Sequence, residues 1–272
     1  MDTSSGNIVG RALPADIRVV ILGSGTSHGI PMIGCDCDVC TSRDPRDRRT
    51  RPSIAVDYGD CTLLIDTAPE LRLQCVANNI RRVDAVLFTH YHADHVTGLD
   101  DLRRFNWLMR APVPCYGKPD ALEIIRRMFL YAFEDDSDYP SHKPELDLLP
   151  IGEGSVELCG RKVIPLPLMH GPLAILGYRF GGVAYCTDCN SIPDRTLERL
   201  QNLDVLILDA LRRRPHPTHF NLEQAIEVAR TIGARRTLFT HIAHELKHEP
   251  VNAKLPKGME LAYDGQTFHS RA

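Results

Sequence analysis

The segment Phe88-Thr89-His90-Tyr91-His92-Ala93-Asp94-His95 constrains the chain more than any other, because it packs three imidazoles and one carboxylate into six residues at the end of an apolar run. Val86-Leu87-Phe88 reads as the tail of a buried strand, and Gly98 to Met109 as helical. The four polar groups then sit on a strand-to-helix turn, where the chain can fan side chains around one point. His90 and His92, two residues apart, can turn toward one ion while the adjacent Asp94 and His95 diverge toward a second, so the spacing points to two metals. A histidine-rich surface turn is the bland alternative, but 12 His in 272 residues does not produce this density by chance.

With 43% hydrophobic and 25% charged residues the composition is that of an ordinary globular protein. The length fits one large domain or two small ones. A formal charge of -3 argues against a protein that coats nucleic acid electrostatically. No apolar run approaches the roughly 18 residues needed to span a bilayer, and Met1 to Ala15 lacks the basic start and apolar core of a signal peptide. The expected compartment is the cytoplasm. Nine cysteines, an odd number, with three crowded between positions 35 and 40, suit metal thiolates and buried thiols better than a disulfide framework.

Residues 1–16 carry Ser, Gly, Asn and Pro without periodicity and read as a flexible terminus ahead of a single domain over residues 17–272. Ile17 to Leu22 is a continuous apolar strand running into Gly23-Ser24-Gly25-Thr26-Ser27-His28-Gly29. Such a turn can cradle phosphate, but no G-K-[ST] or G-x-G-x-x-G follows, so a tight turn near the active site is the favoured reading. Cys35, Cys37 and Cys40 form a C-x-C-x2-C cluster. That is three soft ligands from one loop, one short of tetrahedral zinc. Arg43 to Arg51, basic with interleaved Asp and Pro, reads as a solvated loop. Ser53 to Val56 and Cys61 to Ile65 form a hairpin across Gly59-Asp60, and its second strand ends in Asp66. That carboxylate serves either as the cap of a Pro69 to Asn78 helix or as a partner holding a metal-ligating histidine; both need a strand-end Asp.

Pro119 to Tyr131 has an amphipathic helical pattern, and Glu134 to Tyr139 is an acidic loop, a natural place for substrate-specific contacts. The strand pattern then restarts at Ser155 to Leu158, Lys162 to Leu166, Ala174 to Phe180, Val183 to Cys186 and Val205 to Leu208. Metal-binding residues recur just past strand ends: His170, Asp188 and His241. Each alone is unremarkable; the order His, Asp, His is not. Asn221 with Gln224 three residues on opens a last helix that Gly233 can end. Leu238-Phe239-Thr240-His241 then repeats Leu87-Phe88-Thr89-His90 word for word. The echo suits a fold of two similar halves meeting at one metal centre.

A strand-end Asp66, the H-x-H-x-D-H set, His170, Asp188 and His241, in that order, resemble the motifs of the metallo-β-lactamase superfamily. The C-x-C-x2-C loop and Thr240-His241-Ile242-Ala243-His244 look like those of the phosphoribosyl cyclic phosphodiesterases of the carbon–phosphorus lyase pathway. The resemblance implies an α/β fold, a four-layer αβ/βα sandwich of two mixed sheets flanked by helices. It implies two catalytic divalent metals, Mn or Zn, one on His90, His92 and His170, the other on Asp94, His95 and His241, with Asp188 bridging. It also implies a structural Zn on Cys35, Cys37, Cys40 and His244, and His219 as general acid near the leaving group, with Asp188 and Asp94 completing the catalytic set.

The reaction so implied is hydrolysis of a cyclic phosphate of a ribose phosphate or nucleotide by a hydroxide shared between the two metals. The expected partner is a small phosphorylated sugar or nucleotide, with no stable nucleic-acid binding and no membrane; the resemblance also suggests a homodimer. An RNA 3′-end processing nuclease of the same superfamily is the nearest rival. A non-catalytic zinc protein, in which only the cysteine site matters, belongs to a different class. His216 reads as a surface histidine, and Cys186-x-x-Cys189 as a weaker redox motif than Asp188 is a ligand.

Overall fold

The computed structural model describes residues 16–134 and 142–272. The terminal stretch before Asp16 and nearly all of the acidic stretch Glu134 to Tyr139 therefore lie outside the described residues. The strands are β1 (Asp16–Gly23), β2 (Ser53–Asp57), β3 (Thr62–Ile65), β4 (Ala85–Leu87), β5 (Val113–Gly117), β6 (Leu146–Pro150) and β7 (Val156–Leu158), followed by β8 (Arg161–His170), β9 (Leu173–Phe180), β10 (Val183–Cys186), β11 (Val205–Asp209), β12 (Arg236–Thr240), β13 (Met259–Leu261) and β14 (Thr267–Arg271). The helices are α1 (Leu71–Ala77), α2 (Ala93–Val96), α3 (Arg103–Met109), α4 (Pro119–Met128), α5 (Leu130–Phe133), α6 (Asp194–Arg199), α7 (Leu222–Ile232) and α8 (His248–Asn252).

Two seven-stranded sheets have the orders β14-β1-β2-β3-β4-β5-β6 and β13-β12-β11-β10-β9-β8-β7. Each runs through three antiparallel pairings and then three parallel ones. β3 and β10 hold the equivalent place, where antiparallel pairing gives way to parallel. The inner strands β2, β3, β4, β10 and β11 are buried on both faces, as sheets covered on both sides require. Ile17, Val19, Ile21, Leu63 and Ile65 meet Tyr178, Phe180, Tyr185 and Ile207 between the sheets. The alternate residues Val20, Leu22, Leu64 and Val86 pack on Leu71, Leu99, Phe105 and Ile125, while Leu206, Leu208 and Phe239 pack on the Leu222, Ala225, Ala229 and Ile232 face of α7. The result is the helix–sheet–sheet–helix sandwich, each buried aliphatic chain contributing about 1.5–3 kcal/mol. The core also reaches the site: the fully buried Tyr178 donates its hydroxyl to the Phe88 carbonyl at 2.7 Å.

The two halves are alike, but the Leu-Phe-Thr-His echo is not the mark of it. It ends β4 and β12, which hold different places in the two sheets. α7 has the expected capping box of Asn221 and Gln224 and ends on left-handed Gly233. The helical stretch after Gly98 is broken into a 3-10 turn, Leu99–Leu102, and α3, and that from Pro119 breaks at Phe129, whose backbone leaves the helical region.

Two expectations fail. Cys61 and Cys159 form a disulfide, leaving seven free cysteines; the turns after β2 and β7 bring these residues to a Cα separation of 6.3 Å across 98 residues. The Arg43 to Arg51 loop is not simply solvated, because the Arg49 guanidinium is fully buried against Asp47 at 3.0 Å. It also donates to the carbonyls of Ala243 at 3.4 Å and Leu246 at 2.8 Å. A buried charge needs such saturation.

Candidate metal centre

Six strand ends deliver the site: Asp66 follows β3, His90 lies just past β4, His170 ends β8, Asp188 follows β10 by two residues, Asp209 ends β11 and His241 follows β12. Asp66, Asp188 and His241 adopt left-handed φ values of 62°, 56° and 59°. This region costs a residue with a Cβ roughly 1–3 kcal/mol and persists where the surroundings over-determine it.

The ligand atoms of His90, His92 and His170 lie within 4.8 Å of one another, as do those of Asp94, His95, Asp188 and His241. In the second group His95 Nε2 is 3.2 Å from Asp188 Oδ1 and 3.4 Å from Asp94 Oδ2. His241 Nε2 is 3.2 Å from Asp188 Oδ2 and 3.5 Å from Asp94 Oδ2. Asp188 also reaches the first group, with His90 Nε2 at 3.9 Å from its Oδ2. The Nε2 atoms of His90, His95 and His241 are buried without a hydrogen-bond partner. Orphaned nitrogens converging on carboxylates, with a mixed N and O donor set, fit divalent cations.

The electrostatics agree with that fit. Burial would lift the Asp188 carboxyl, but the charges of His241 and His95 outweigh it and hold it well below the usual range. Burial acts against a proton on His95 too, yet Asp188, Asp94 and Asp66 raise its pKa. The carboxylates thus create a demand for positive charge at this point. His90, by contrast, is pushed well down by burial, and His170 down to about 4 by burial, which keeps both neutral and free to coordinate.

Asp66 is not a helix cap. It accepts from the Thr89 amide at 2.8 Å, from the Thr89 hydroxyl at 2.8 Å and pairs with His95 Nδ1 at 2.7 Å. His170 Nδ1 is held by the Thr218 carbonyl at 3.0 Å. Carboxylate and carbonyl partners of this kind fix a ligand's tautomer and ring orientation.

His219 stacks on His241 with ring centroids 4.7 Å apart and meets His170 edge-on at 4.7 Å. Its Nδ1 lies 2.7 Å from Asp209 Oδ2, leaving Nε2 as its other functional atom. Asp209, fully buried, was missed by sequence reasoning. The signal existed, since Leu206-Ile207-Leu208-Asp209 is the same apolar-strand-then-Asp pattern as Leu63-Leu64-Ile65-Asp66. His216 is also drawn in: half-buried, with its ring centroid 5.0 Å from that of His219, it is no isolated surface residue.

A separate cluster joins Cys35, Cys37, Cys40 and His244. His244 Nδ1 lies 3.2, 3.4 and 3.9 Å from their three Sγ atoms. Hydrogen bonds, first from the Cys40 amide, bring the Cys37 thiol down to about 6, while burial takes Cys40 up to about 11. Three thiols and one imidazole fit tetrahedral zinc. The glycine-rich turn is bonded to the segment just after His241, the Thr26 amide donating to the Ile242 carbonyl at 3.1 Å and the Ile242 amide to the Ser24 carbonyl at 2.9 Å. Its Ser24, Gly25, Thr26 and Gly29 amides are all bonded within the protein, and a Cβ on Gly23 would lie 1.9 Å from the Arg51 carbonyl oxygen. These four amides are therefore not free to hold phosphate.

A family model described as Beta-lactamase superfamily domain matches residues 62–242, which contain every residue of the histidine–carboxylate centre. The chain belongs to the metallo-β-lactamase superfamily and is a hydrolase. A crystal structure of a diphosphatase from the PhnP family is 44% identical, with a TM-score of 0.88, over 94% of this chain and 98% of that one. Within the superfamily the chain is of the PhnP type. An octanoyltransferase of Porphyromonas gingivalis is 38% identical over 92% of this chain, which spans about half (51%) of that relative's length. A ribonuclease Z of Mycolicibacterium gilvum is 27% identical over 75% of this chain and 82% of its own. Among the described residues no helix is long and apolar enough to cross a membrane.

Proposed function

We propose that the chain is a dinuclear-metal phosphodiesterase that opens a cyclic phosphate of a ribose phosphate or nucleotide. The observation that carries this reading is the buried His219–Asp209 pair set against both ligand groups, a proton donor placed for a leaving oxygen. His90, His92 and His170 would hold one cation and Asp94, His95 and His241 the other, with Asp188 available to both. Bound there, Mn or Zn supplies Lewis-acid polarisation of phosphoryl oxygens and a water acidified enough to attack phosphorus at neutral pH. His219, as an imidazolium with Nδ1–H donated to Asp209, would give its Nε2 proton to the departing sugar oxygen and be left as the neutral ring, still held at Nδ1 by Asp209. Proton donation of this kind contributes about 10²–10⁴-fold. Cys35, Cys37, Cys40 and His244 would hold a zinc, which would tie the cysteine loop to the segment that carries His241.

A second reading is supported by the 44% identity to a diphosphatase: a phosphoric anhydride in place of the ester, attacked by the same centre. The ribonuclease Z relative supports the nuclease reading more weakly. The test is the initial rate of Mn- or Zn-loaded protein on phosphoribosyl 1,2-cyclic phosphate, nucleoside 2′,3′-cyclic phosphates, a dinucleoside diphosphate and a structured RNA, beside His219→Ala. A fast, His219-dependent rate on the cyclic esters is expected. Hydrolysis of the diphosphate alone would replace the ester reading with the anhydride one. Cleavage of RNA alone, with a steep salt dependence, would transfer the site to a nuclease.

A further inference from the structure

The turn from His241 to Leu246 carries candidate ligands of two different clusters, His241 of the histidine–carboxylate centre and His244 of the cysteine site. It follows β12 and belongs to no strand or helix, so no regular backbone ladder fixes its path. Its carbonyls are taken instead by a distant part of the chain. The Thr26 amide donates to the Ile242 carbonyl at 3.1 Å. Arg49 donates from Nη1 to the Ala243 carbonyl at 3.4 Å and from Nη2 to the Leu246 carbonyl at 2.8 Å. The guanidinium thus grips the turn on both sides of His244.

Arg49 is itself pinned. Its Nε donates to the Arg46 carbonyl at 3.1 Å and its Nη2 to Asp47 Oδ1 at 3.0 Å. The same Asp47 oxygen accepts from the His248 amide at 2.8 Å, just past the far end of the turn. The Arg49 backbone exchanges two hydrogen bonds with Ile30, at 2.9 and 2.8 Å. Ile30 leads into the cysteine loop and packs with Val39 and Cys40. A Cβ on Gly25 would lie 2.9 Å from the Arg49 Cβ, so the glycine-rich turn closes on this residue too. Arginine suits such a place. Its planar fork can meet two carbonyls and a carboxylate at once and keeps its charge when buried, whereas a lysine ammonium is a point charge on a flexible stem.

We infer that Arg49 is a positioning residue for both metal sites, setting the path of the His241–Leu246 turn so that His241 reaches the Asp94, His95 and Asp188 group while His244 reaches the three thiols. It acts through backbone carbonyls. The inference concerns cation binding and holds for any substrate of the centre. An arginine that merely stabilised the fold would leave the cation affinities of the folded protein unchanged.

The experiment compares wild type, Arg49→Lys and the double variant Asp47→Asn with Arg49→Met, which removes the buried ion pair as a unit and leaves no charge unpaired. Metal-free proteins are first shown to be folded by near-ultraviolet circular dichroism. Chelator competition with Co(II) then gives the affinity of each site, the visible spectrum separating a thiolate-bound ion from one on imidazole and carboxylate. The double variant should bind Co(II) about 10–100-fold more weakly at both sites, the scale of losing a group that orients a ligand. Arg49→Lys keeps a charge beside Asp47 but meets fewer carbonyls, and should show a smaller loss of the same sign. Wild-type affinities in the folded variants, or weakening at one site alone, would overturn the shared positioning role. If the wild type binds Co(II) at the cysteine site alone, the dinuclear reading fails, and an unchanged affinity there in the double variant would overturn the role of Arg49 as well.

Discussion

Asp66 and Asp188 follow β3 and β10, the equivalent strands of the two sheets, and both are buried and left-handed. Their surroundings make them different groups. The Asp66 oxygens face three donors, the Thr89 amide, the Thr89 hydroxyl and His95 Nδ1. The Asp188 carboxylate takes one hydroxyl, that of Thr187 at 2.7 Å, and otherwise faces the unpartnered Nε2 atoms of His90, His95 and His241. His95 lies between them, one ring nitrogen on each. A strand end of this fold therefore supplies a buried carboxylate, and the donors already aimed at it decide whether it supports a ligand or serves as one.

That comparison is easiest to break at its ends. Asp188→Ala should remove turnover and lower the metal content from about three per chain toward one or two, because in the proposed centre both cation sites share this residue. Asp66→Asn should keep the ligands in place and weaken metal affinity by about 10–100-fold, the effect of losing a group that orients a ligand. Metal counting by mass spectrometry with parallel kcat/KM separates the two. Equal losses would mean that hydrogen-bond saturation does not distinguish the two carboxylates.

Asp209 gives a third case, a strand-end carboxylate bonded to His219, the proton donor of the proposed reaction. Asp209→Asn should leave the metal count unchanged and lower kcat about 10²–10⁴-fold, most on substrates with poor leaving groups. A matching loss with an activated nitrophenyl ester, which needs no protonation, would count against His219 as the acid. Away from these carboxylates, Cys37→Ser should cost one zinc per chain and a thermal midpoint lower by several degrees, at about 2–4 °C per kcal/mol for a domain approaching this size.

The residues that converge on the centre were legible because strand-end His and Asp are visible signals and five of them, Asp66, His90, His170, Asp188 and His241, lie in a readable order. Asp209 carries the same local signal as Asp66, but no nearby motif marked it. His216 looked exposed because a loop following three arginines reads as solvent-facing until Thr218 is seen to be bonded to His170. Arg49 looked solvated for a similar reason, since its partners, the carbonyls of Ala243 and Leu246, are about two hundred residues away. The Cys61–Cys159 pairing depends on two turns meeting in space, and an odd cysteine count pointed the other way. Local periodicity gave most strands and α7; sheet order and long-range hydrogen bonds belong to tertiary packing.

The finest test uses the repeated Leu-Phe-Thr-His. Thr89 and Thr240 hold the same place in two identical tetrapeptides, and both are buried. The Thr89 hydroxyl lies 2.8 Å from Asp66 and 3.0 Å from His90 Nδ1, whereas the Thr240 hydroxyl has no hydrogen-bond partner. Valine keeps the shape and removes the polar atom. Thr89→Val should cost about 1–3 kcal/mol, because a buried carboxylate loses a donor, whereas Thr240→Val should be near neutral or slightly stabilising, because an unmade hydrogen bond is what disappears. Denaturant unfolding of the metal-free proteins measures both without interference from bound cations. Equal costs would show that Thr240 has a partner the two halves share, and the asymmetry between them would then be confined to the carboxylates.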